Sequence, residues 1–238
     1  MKSLILTGSS GQLGELFIEY LSSLGIYKIY AIDKDFDNVD KIDNIEFIDL
    51  DITKENQVVD FFKTLKNVDV LINNAGIGVF TPFEERTVED FMSVVEVNMK
   101  GTFLMCRESI KIMKAAKQGK IINIASIYGM LSSDSRIYGN SGRNNSEVYS
   151  MSKAGVIMLT KYLAAHYAKY NIQVNAISPG GVFREQSEDF LSNYSFRTPA
   201  GRLANGRDLI PVLEFLISNN NSYTTGQNIA IDGGFTAW

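Results

Sequence analysis

Strand-like and helix-like segments alternate along this chain of 238 residues from one end to the other, and that alternation leaves few ways to fold. A strand that returns parallel to its neighbour needs a crossover of about a dozen residues or more, and a helix supplies it. The apolar runs "SLIL", "KIYAID", "IEFIDL", "VDVLINNAG", "KIINIAS", "IQVNAIS" and "QNIAID" predict seven strands. Leu13, Leu16, Phe17, Tyr20, Leu21 and Leu24 recur at three- and four-residue spacing up to Gly25. Val58, Phe61, Phe62 and Leu65 do the same after Thr53, the expected helix cap. Longer helices are expected around residues 87–117 and 147–170, and a last one from about Asp208, with six main helices in all. The expected fold class is α/β: one domain over residues 1–238, with a seven-stranded, mostly parallel sheet covered by helices on both faces.

Two polar segments interrupt the rhythm, at about 127–146 and 181–207. Both follow strands, and ligands of open α/β sheets bind beyond the carboxyl ends of the strands, so these segments are expected to wall a substrate pocket. The partner is expected to be a small molecule. Net charge is −4 and no cluster of Lys and Arg could track a phosphate backbone, which argues against nucleic acid. The single cysteine, Cys106, lies in the apolar stretch "GTFLMCRESI" and reads as a buried, inert thiol in a reducing compartment. No run has the length of a membrane span or the pattern of a secretory signal, so the expected location is the cytoplasm, away from membranes.

"TGSSGQLG", Thr7 to Gly14, joins the first strand to the first helix. A strand, a tight glycine turn and a helix N-terminus together make a phosphate site; glycines at such a junction can also be close-packing turn residues. Asp33, nineteen positions after Gly14 at the end of the second strand, favours the first reading, because an acidic group there meets the ribose hydroxyls of a dinucleotide. It would repel a ribose 2′-phosphate, and Asp35 and Asp37 outweigh Lys34, so NAD is expected rather than NADP. Asp51 and "NNAG" (Asn73 to Gly76) sit where adenine and its ribose would pass, although Asp and Asn-Gly runs also end strands routinely.

Tyr149 and Lys153 lie one helical turn apart and share a face. Tyr30 and Lys34 have the same spacing but belong to a strand and its exit. For a tyrosine to exchange protons near neutral pH, its phenolate needs roughly 4 kcal/mol of preferential stabilisation, part of which a nearby ammonium can supply. Ser126, at the end of the fifth strand, can hydrogen-bond a substrate oxygen, and Asn98 can hold a water that links the lysine to solvent. Taken singly, the same residues also fit a surface ion pair, a strand-end hydroxyl and a helix polar group. His166 is the only histidine and reads as a partly exposed helical residue, so a zinc site of Cys and His ligands is excluded and no metal is expected.

The glycine turn, Asp33, "NNAG", Asn98, Ser126, Tyr149, Lys153 and "SPGG" (Ser178 to Gly181) follow the order of the short-chain dehydrogenase/reductase family, which the chain resembles over essentially its whole length. The resemblance implies a Rossmann sheet. It makes Tyr149 the catalytic acid/base, Lys153 the group that binds the nicotinamide ribose and lowers the tyrosine pKa, Ser126 the substrate-positioning hydroxyl and Asn98 the end of a proton relay. It also implies that Gly8, Ser10, Gly11, Gln12, Leu13, Gly14, Asp33, Asp51, Ile52, Asn74, Ala75 and Gly76 line the cofactor. Tyr149, Lys153, Pro179, Gly180 and Val182 complete that lining. The ending "TGQNIAIDGGFTAW" is similar to the family's subunit-contact tail, implying a homo-oligomer, a tetramer or a dimer.

Two departures bear on the substrate, and a third on one nicotinamide or pyrophosphate contact. The glycine spacing at Gly8, Gly11 and Gly14 is more typical of the family's sugar-nucleotide-modifying branch. The long interval from Ser126 to Tyr149, with "SIYG" and "SPGGVF", resembles a bacterial subgroup associated with flagellin modification and surface-glycan sugar synthesis. The family's threonine after Pro-Gly is not evident in "PGGVFREQ". The expected activity is therefore an NAD-dependent interconversion of a secondary alcohol and a ketone on a polar sugar or sugar-derived substrate. Arg136 and Arg143 in the long interval are either contacts for its phosphate or carboxylate or solvated loop charges. The alternatives are an NAD-retaining sugar-nucleotide epimerase or dehydratase, and a non-catalytic dinucleotide sensor.

Overall fold

The computed structural model describes residues 1–36, 42–141 and 143–238; Asp37, part of the charge argument above, lies outside them. Seven strands form one sheet: β1 (Lys2–Thr7), β2 (Tyr27–Asp33), β3 (Ile45–Asp49), β4 (Val70–Asn73), β5 (Gly119–Ile124), β6 (Ile172–Pro179) and β7 (Asn228–Ile231). Their order is β3-β2-β1-β4-β5-β6-β7, and every pairing is parallel. The order reverses between β1 and β4, where Thr7 pairs with Ile32 on one side and Asn73 on the other. All seven carboxyl ends therefore share one edge, with the crevice of a doubly wound sheet at its middle.

Both faces of the sheet are buried, which is why its strands read as near-continuous apolar runs. Ile5, Leu71 and Ile121 point to one face, where α2 (Glu55–Lys63) and α4 (Thr102–Ala116) bring Phe61, Phe62, Leu104 and Met105. Leu4, Leu6, Ile72 and Ile122 point to the other, under Phe17 and Leu21 of α1 (Gln12–Ser23) and Leu213 and Leu216 of α7 (Ile210–Ile217). α5 (Glu147–Tyr167) follows the long polar segment and adds Leu163 and Ala164 to the first layer.

The expected helix at 87–117 is not uniform. Thr87 caps α3 (Val88–Val94), but Val95–Gly101 is a π-helical segment before α4 resumes. The wider turn buries the Asn98 side chain and presses Gly101 onto Ile52, where a Cβ would lie 2.6 Å from Ile52 Cδ1. Thr53 does not cap α2. Its hydroxyl and N–H both donate to Asp51 Oδ1, at 2.7 and 2.9 Å, so the side-chain turn of Asp51 takes the hydroxyl and Lys54 becomes the cap residue.

The segment 181–207 holds a helix that the sequence reading leaves as loop, α6 (Glu188–Arg197), capped by the Ser187 hydroxyl. Its Phe190 packs on Tyr138 at 5.4 Å between ring centroids, and Tyr194 stacks on Phe235 at 4.8 Å. With Ile127, Ile137 and Leu203 these rings make a small separate core above the carboxyl edge of the sheet. The two long polar segments thus close on each other.

Candidate active site

The turn after β1 is built by close approach. Thr7 Oγ1 accepts the N–H groups of Asn74 (3.2 Å) and Ala75 (3.1 Å), and Asn74 Nδ2 donates to the Gly8 carbonyl at 2.8 Å. Gly8 has φ +66°, and a Cβ there would stand 2.6 Å from Ala75 Cα. A Cβ on Gly14 would overlap the Gly8 carbonyl and lie 2.6 Å from Ser9 Cα, so the helix rests directly on the turn. Gly11 differs: its Cβ would meet only the Gly8 carbonyl, at 3.5 Å. It stands at the N-cap of α1 with no side-chain hydrogen bond, leaving the helix's first N–H groups for an anion. Leu13 turns its side chain onto the Gly206 turn, so its backbone is what it can contribute.

Asp33 reaches this turn. Its Oδ2 accepts from Ser10 N (3.0 Å) and Ser10 Oγ (2.5 Å), and its Oδ1 from Lys34 N (2.8 Å). The Lys34 ammonium swings away to Asp51 Oδ2, 3.4 Å off. Burial pushes the Asp51 carboxyl up, but the Thr53 donors and Lys34 outweigh it and hold the group below its usual range. Asp33, Asn74 and Ala75 thus gather at the turn after β1, with Asp51 linked to it through Lys34.

The reactive side chains meet on the other side of β4. Ser146 caps α5 and sets the phase that turns Tyr149 and Lys153 inward. Lys153 Nζ donates to the Ile124 carbonyl at 2.8 Å and stands 5.6 Å from the centre of the Tyr149 ring. Burial lowers the Lys153 ammonium to about 8. The Ser126 hydroxyl lies beside the Tyr149 phenol, whose ionised form it favours, and accepts from Tyr128 N at 3.1 Å. Burial raises the Tyr149 phenol, and Ser126 and the Arg184 charge only partly oppose it.

Asn98 brackets the loop after β4: it donates to the Ile77 carbonyl (2.9 Å) and accepts from Ile77 N (2.8 Å). It also donates to Ser152 Oγ at 3.0 Å, whose hydroxyl passes on to the Tyr149 carbonyl at 2.7 Å. Gly76 lies between Asn98 and Lys153; a Cβ there would stand 3.5 Å from Asn98 Oδ1 and 3.2 Å from Lys153 Nζ. Tyr30 and Lys34 part company, as their strand position requires: Tyr30 packs on Phe61 and Lys34 pairs with Asp51.

The far wall comes from β6. Gly180 N donates to the Ile231 carbonyl at 2.9 Å, Gly181 N donates to the Tyr194 hydroxyl, and Val182 bridges to Ala204. Gln12 Nε2 donates to the Phe183 carbonyl (2.7 Å) and Arg184 Nε to Gln12 Oε1 (2.5 Å), tying this wall to the glycine turn. The sequence reading missed Tyr194 and Arg184, whose partners are remote in the chain. Arg136 does not face a ligand: it is 86% exposed and grips Asp134 with Nε (2.8 Å) and Nη2 (2.7 Å). An adjacent carboxylate satisfies that fork at no cost in reach. Arg143 instead lies over the Phe80 ring at 4.4 Å, and Phe80 and Tyr149 both border Gly78. A cavity of about 830 Å³, lined by Arg86, Tyr128, Asn144, Glu147 and Met151 among others, adjoins the first turns of α5 without including Tyr149.

The remaining side chains are quiet. Burial pushes the Cys106 thiol up to about 12, and His166 is exposed on α5, stacked on Tyr162. Among the described residues no group of three or more His, Cys, Asp or Glu could hold a metal ion, and no helix is long and apolar enough to cross a membrane.

Residues 29–236 match the family model described as enoyl-(acyl carrier protein) reductase. A short-chain dehydrogenase from Leptospira borgpetersenii serovar Hardjo-bovis, solved with bound NAD+, is 46% identical with a TM-score of 0.94 over 99% of this chain and 92% of that one. A 2-dehydro-3-deoxy-D-gluconate 5-dehydrogenase from Formosa agariphila is 37% identical over 180 residues, 71% of this chain and 63% of that protein. The 3-oxoacyl-[acyl-carrier-protein] reductase FabG of Rickettsia bellii is 31% identical over 97% of this chain and 95% of its own length. With a parallel sheet in this order and matches that span nearly the whole sequence, the chain belongs to the short-chain dehydrogenase/reductase family and is an oxidoreductase.

Proposed function

We propose that this oxidoreductase interconverts a secondary alcohol and a ketone on a polar sugar or sugar-derived substrate, with NAD as its cofactor. The observation that carries the reading is the buried Lys153, 5.6 Å from the centre of the Tyr149 ring and bonded to the Ile124 carbonyl, with Ser126 close by at the same sheet edge as the glycine turn. The turn fits a dinucleotide: Gly8 and Gly14 leave no room for side chains, α1 starts without a side-chain cap, and the buried Ser9 hydroxyl has no partner among the described residues. Asp33 favours NAD, since the adjacent Lys34 is engaged by Asp51. The protein solved with NAD+ supports the same choice.

When bound, the nicotinamide ring exchanges the hydride. The chain's own residues handle the proton and the orientation. Ser126 Oγ holds the substrate oxygen, and Tyr149 Oη gives that oxygen a proton in reduction or takes it in oxidation. The raised phenol is protonated at neutral pH, ready for the reductive direction. In the oxidative direction the charges of Lys153 and Arg184 are what favour the phenolate. Asn98 fixes the loop that keeps Gly76 against Lys153.

The sugar reading is supported by the glycine spacing, the long Ser126 to Tyr149 interval and the sugar-acid dehydrogenase among the relatives. Arg143, held on Phe80 beside the Tyr149 side of the site, would pair with an acidic group of such a substrate. The flagellin and surface-glycan subgroup remains the preferred biological setting, and the buried, inert Cys106 fits a cytoplasmic chain. Exposed Phe103 on α4 and Met151, Met158 and Tyr162 on α5 offer an apolar face to a second copy, in keeping with a dimer or tetramer. The test is a panel of sugar acids and sugar derivatives with added NAD+. Stoichiometric NADH formation supports the dehydrogenase, whereas product formation with no net NADH identifies the epimerase or dehydratase alternative.

A further inference from the structure

We infer that Arg184 is the cation that neutralises the diphosphate of the bound dinucleotide, an inference that rests on the dinucleotide reading above. Among the described residues, Lys34 and Lys153 are engaged elsewhere. Asp33 brings a carboxylate to the glycine turn, and Lys34 is held by Asp51. Lys153 is buried and donates to the Ile124 carbonyl on the far side of β4. A doubly charged diphosphate placed at the glycine turn would meet helix N–H groups and one carboxylate, and a cation would offset that carboxylate and add to the pull of the helix N-terminus.

Arg184 is delivered to this gap by a strap. Gln12 is the first residue of α1, next to the uncapped Gly11, and its amide holds the chain after β6 at two points: Nε2 donates to the Phe183 carbonyl and Oε1 accepts from Arg184 Nε. Only Nε is used. Among the described residues the two terminal nitrogens of the guanidinium have no carboxylate or carbonyl partner, so the planar fork is left for two oxygens of one phosphate or of neighbouring phosphates. Its bond to Gln12 fixes the guanidinium beside the start of α1, and its charge reaches the Tyr149 phenol across the site. The unpartnered, buried Ser9 hydroxyl lies in the same turn.

The test is calorimetric binding of NAD+, ADP-ribose and adenosine to the wild-type chain, Arg184→Gln and Arg184→Lys. ADP-ribose carries the diphosphate without the nicotinamide, and adenosine carries neither. The expected result is a roughly ten- to hundredfold weaker affinity of Arg184→Gln for NAD+ and ADP-ribose, with adenosine unchanged. Arg184→Lys, which keeps the charge and loses the fork, should fall between. Equal ADP-ribose affinity in wild type and Arg184→Gln overturns the inference, including the case where only the KM for substrate rises. An equal loss for adenosine overturns it too, because the defect then lies outside the diphosphate. If the wild-type chain binds neither NAD+ nor ADP-ribose while remaining folded, the dinucleotide reading itself fails and takes this inference with it.

Discussion

The Lys153 ammonium donates to the carbonyl of Ile124 at 2.8 Å, so a side chain of α5 is fastened to the last residue of β5. That bond sets the depth at which the ammonium sits beneath Tyr149, and it keeps a cation inside the protein where burial disfavours its charge. The stability of the free protein should therefore depend on pH through this group. The folded value of about 8 lies below the ordinary lysine value of 10.5, so the unfolded chain binds more protons between them. Stability gains with rising pH across that window, by up to about 1.4 kcal/mol per pH unit. Below about pH 8 the penalty is fully present. Denaturant unfolding of wild type and Lys153→Met from pH 7 to 10.5 should show this rise in wild type relative to the variant; parallel curves would refute it.

Tyr149→Phe removes the proton donor and keeps the ring. Turnover should fall by about 10²- to 10⁴-fold while the Kd for NAD+ changes less than about threefold. Full activity in that variant would sink the proposed chemistry.

The glycines of the turn should separate by function. Gly14→Ala forces a methyl group into the Gly8 and Ser9 backbone and should cost about 3 kcal/mol or more in thermal or denaturant unfolding. Gly11→Ala has room, so its stability should stay within about 1 kcal/mol of wild type while NAD+ affinity falls. Equal losses of stability would contradict the assignment.

Cofactor choice should follow Asp33. In Asp33→Ser the repulsion of a 2′-phosphate is gone, and the ratio of kcat/KM for NADP to that for NAD should rise at least about tenfold. Adding Asp51→Asn, which frees Lys34 from its ion pair, should raise it further. An unchanged ratio in both variants would show that the choice is made elsewhere.

The two arginines of the long interval should behave differently. Arg136→Ala should leave kinetics within about twofold, because Asp134 already holds that guanidinium. Arg143→Ala should raise the KM for an acidic sugar roughly tenfold with kcat little changed. The reverse pattern would reassign the anion contact.

The strands were legible because both faces of the sheet are buried, and the grouping of Ser126, Tyr149 and Lys153 because the first stands at a strand end and the other two one helical turn apart. α6 was not, since Phe190, Leu191 and Tyr194 make a short apolar stripe inside a polar segment, and only packing on Tyr138 and Phe235 makes it helical. The π-helical turn at Asn98 escaped because one hydrogen-bond register in seven residues leaves no period to read. The bond of Arg184 to Gln12 spans 172 positions, and no local pattern announces it. Thr53 was a sound cap by residue type, and it lost the role to a nearer acceptor, Asp51.

The shared apolar pad of Ile137, Tyr194, Leu203 and Phe235 has a consequence for how such a chain can diversify. Each polar segment, a wall of the substrate pocket on the reading proposed above, buries its back against the other, so neither can be exchanged alone without opening a hole in the pad. A change of substrate would have to be inherited, or engineered, as a matched pair of segments together with the C-terminal aromatic that they both grip.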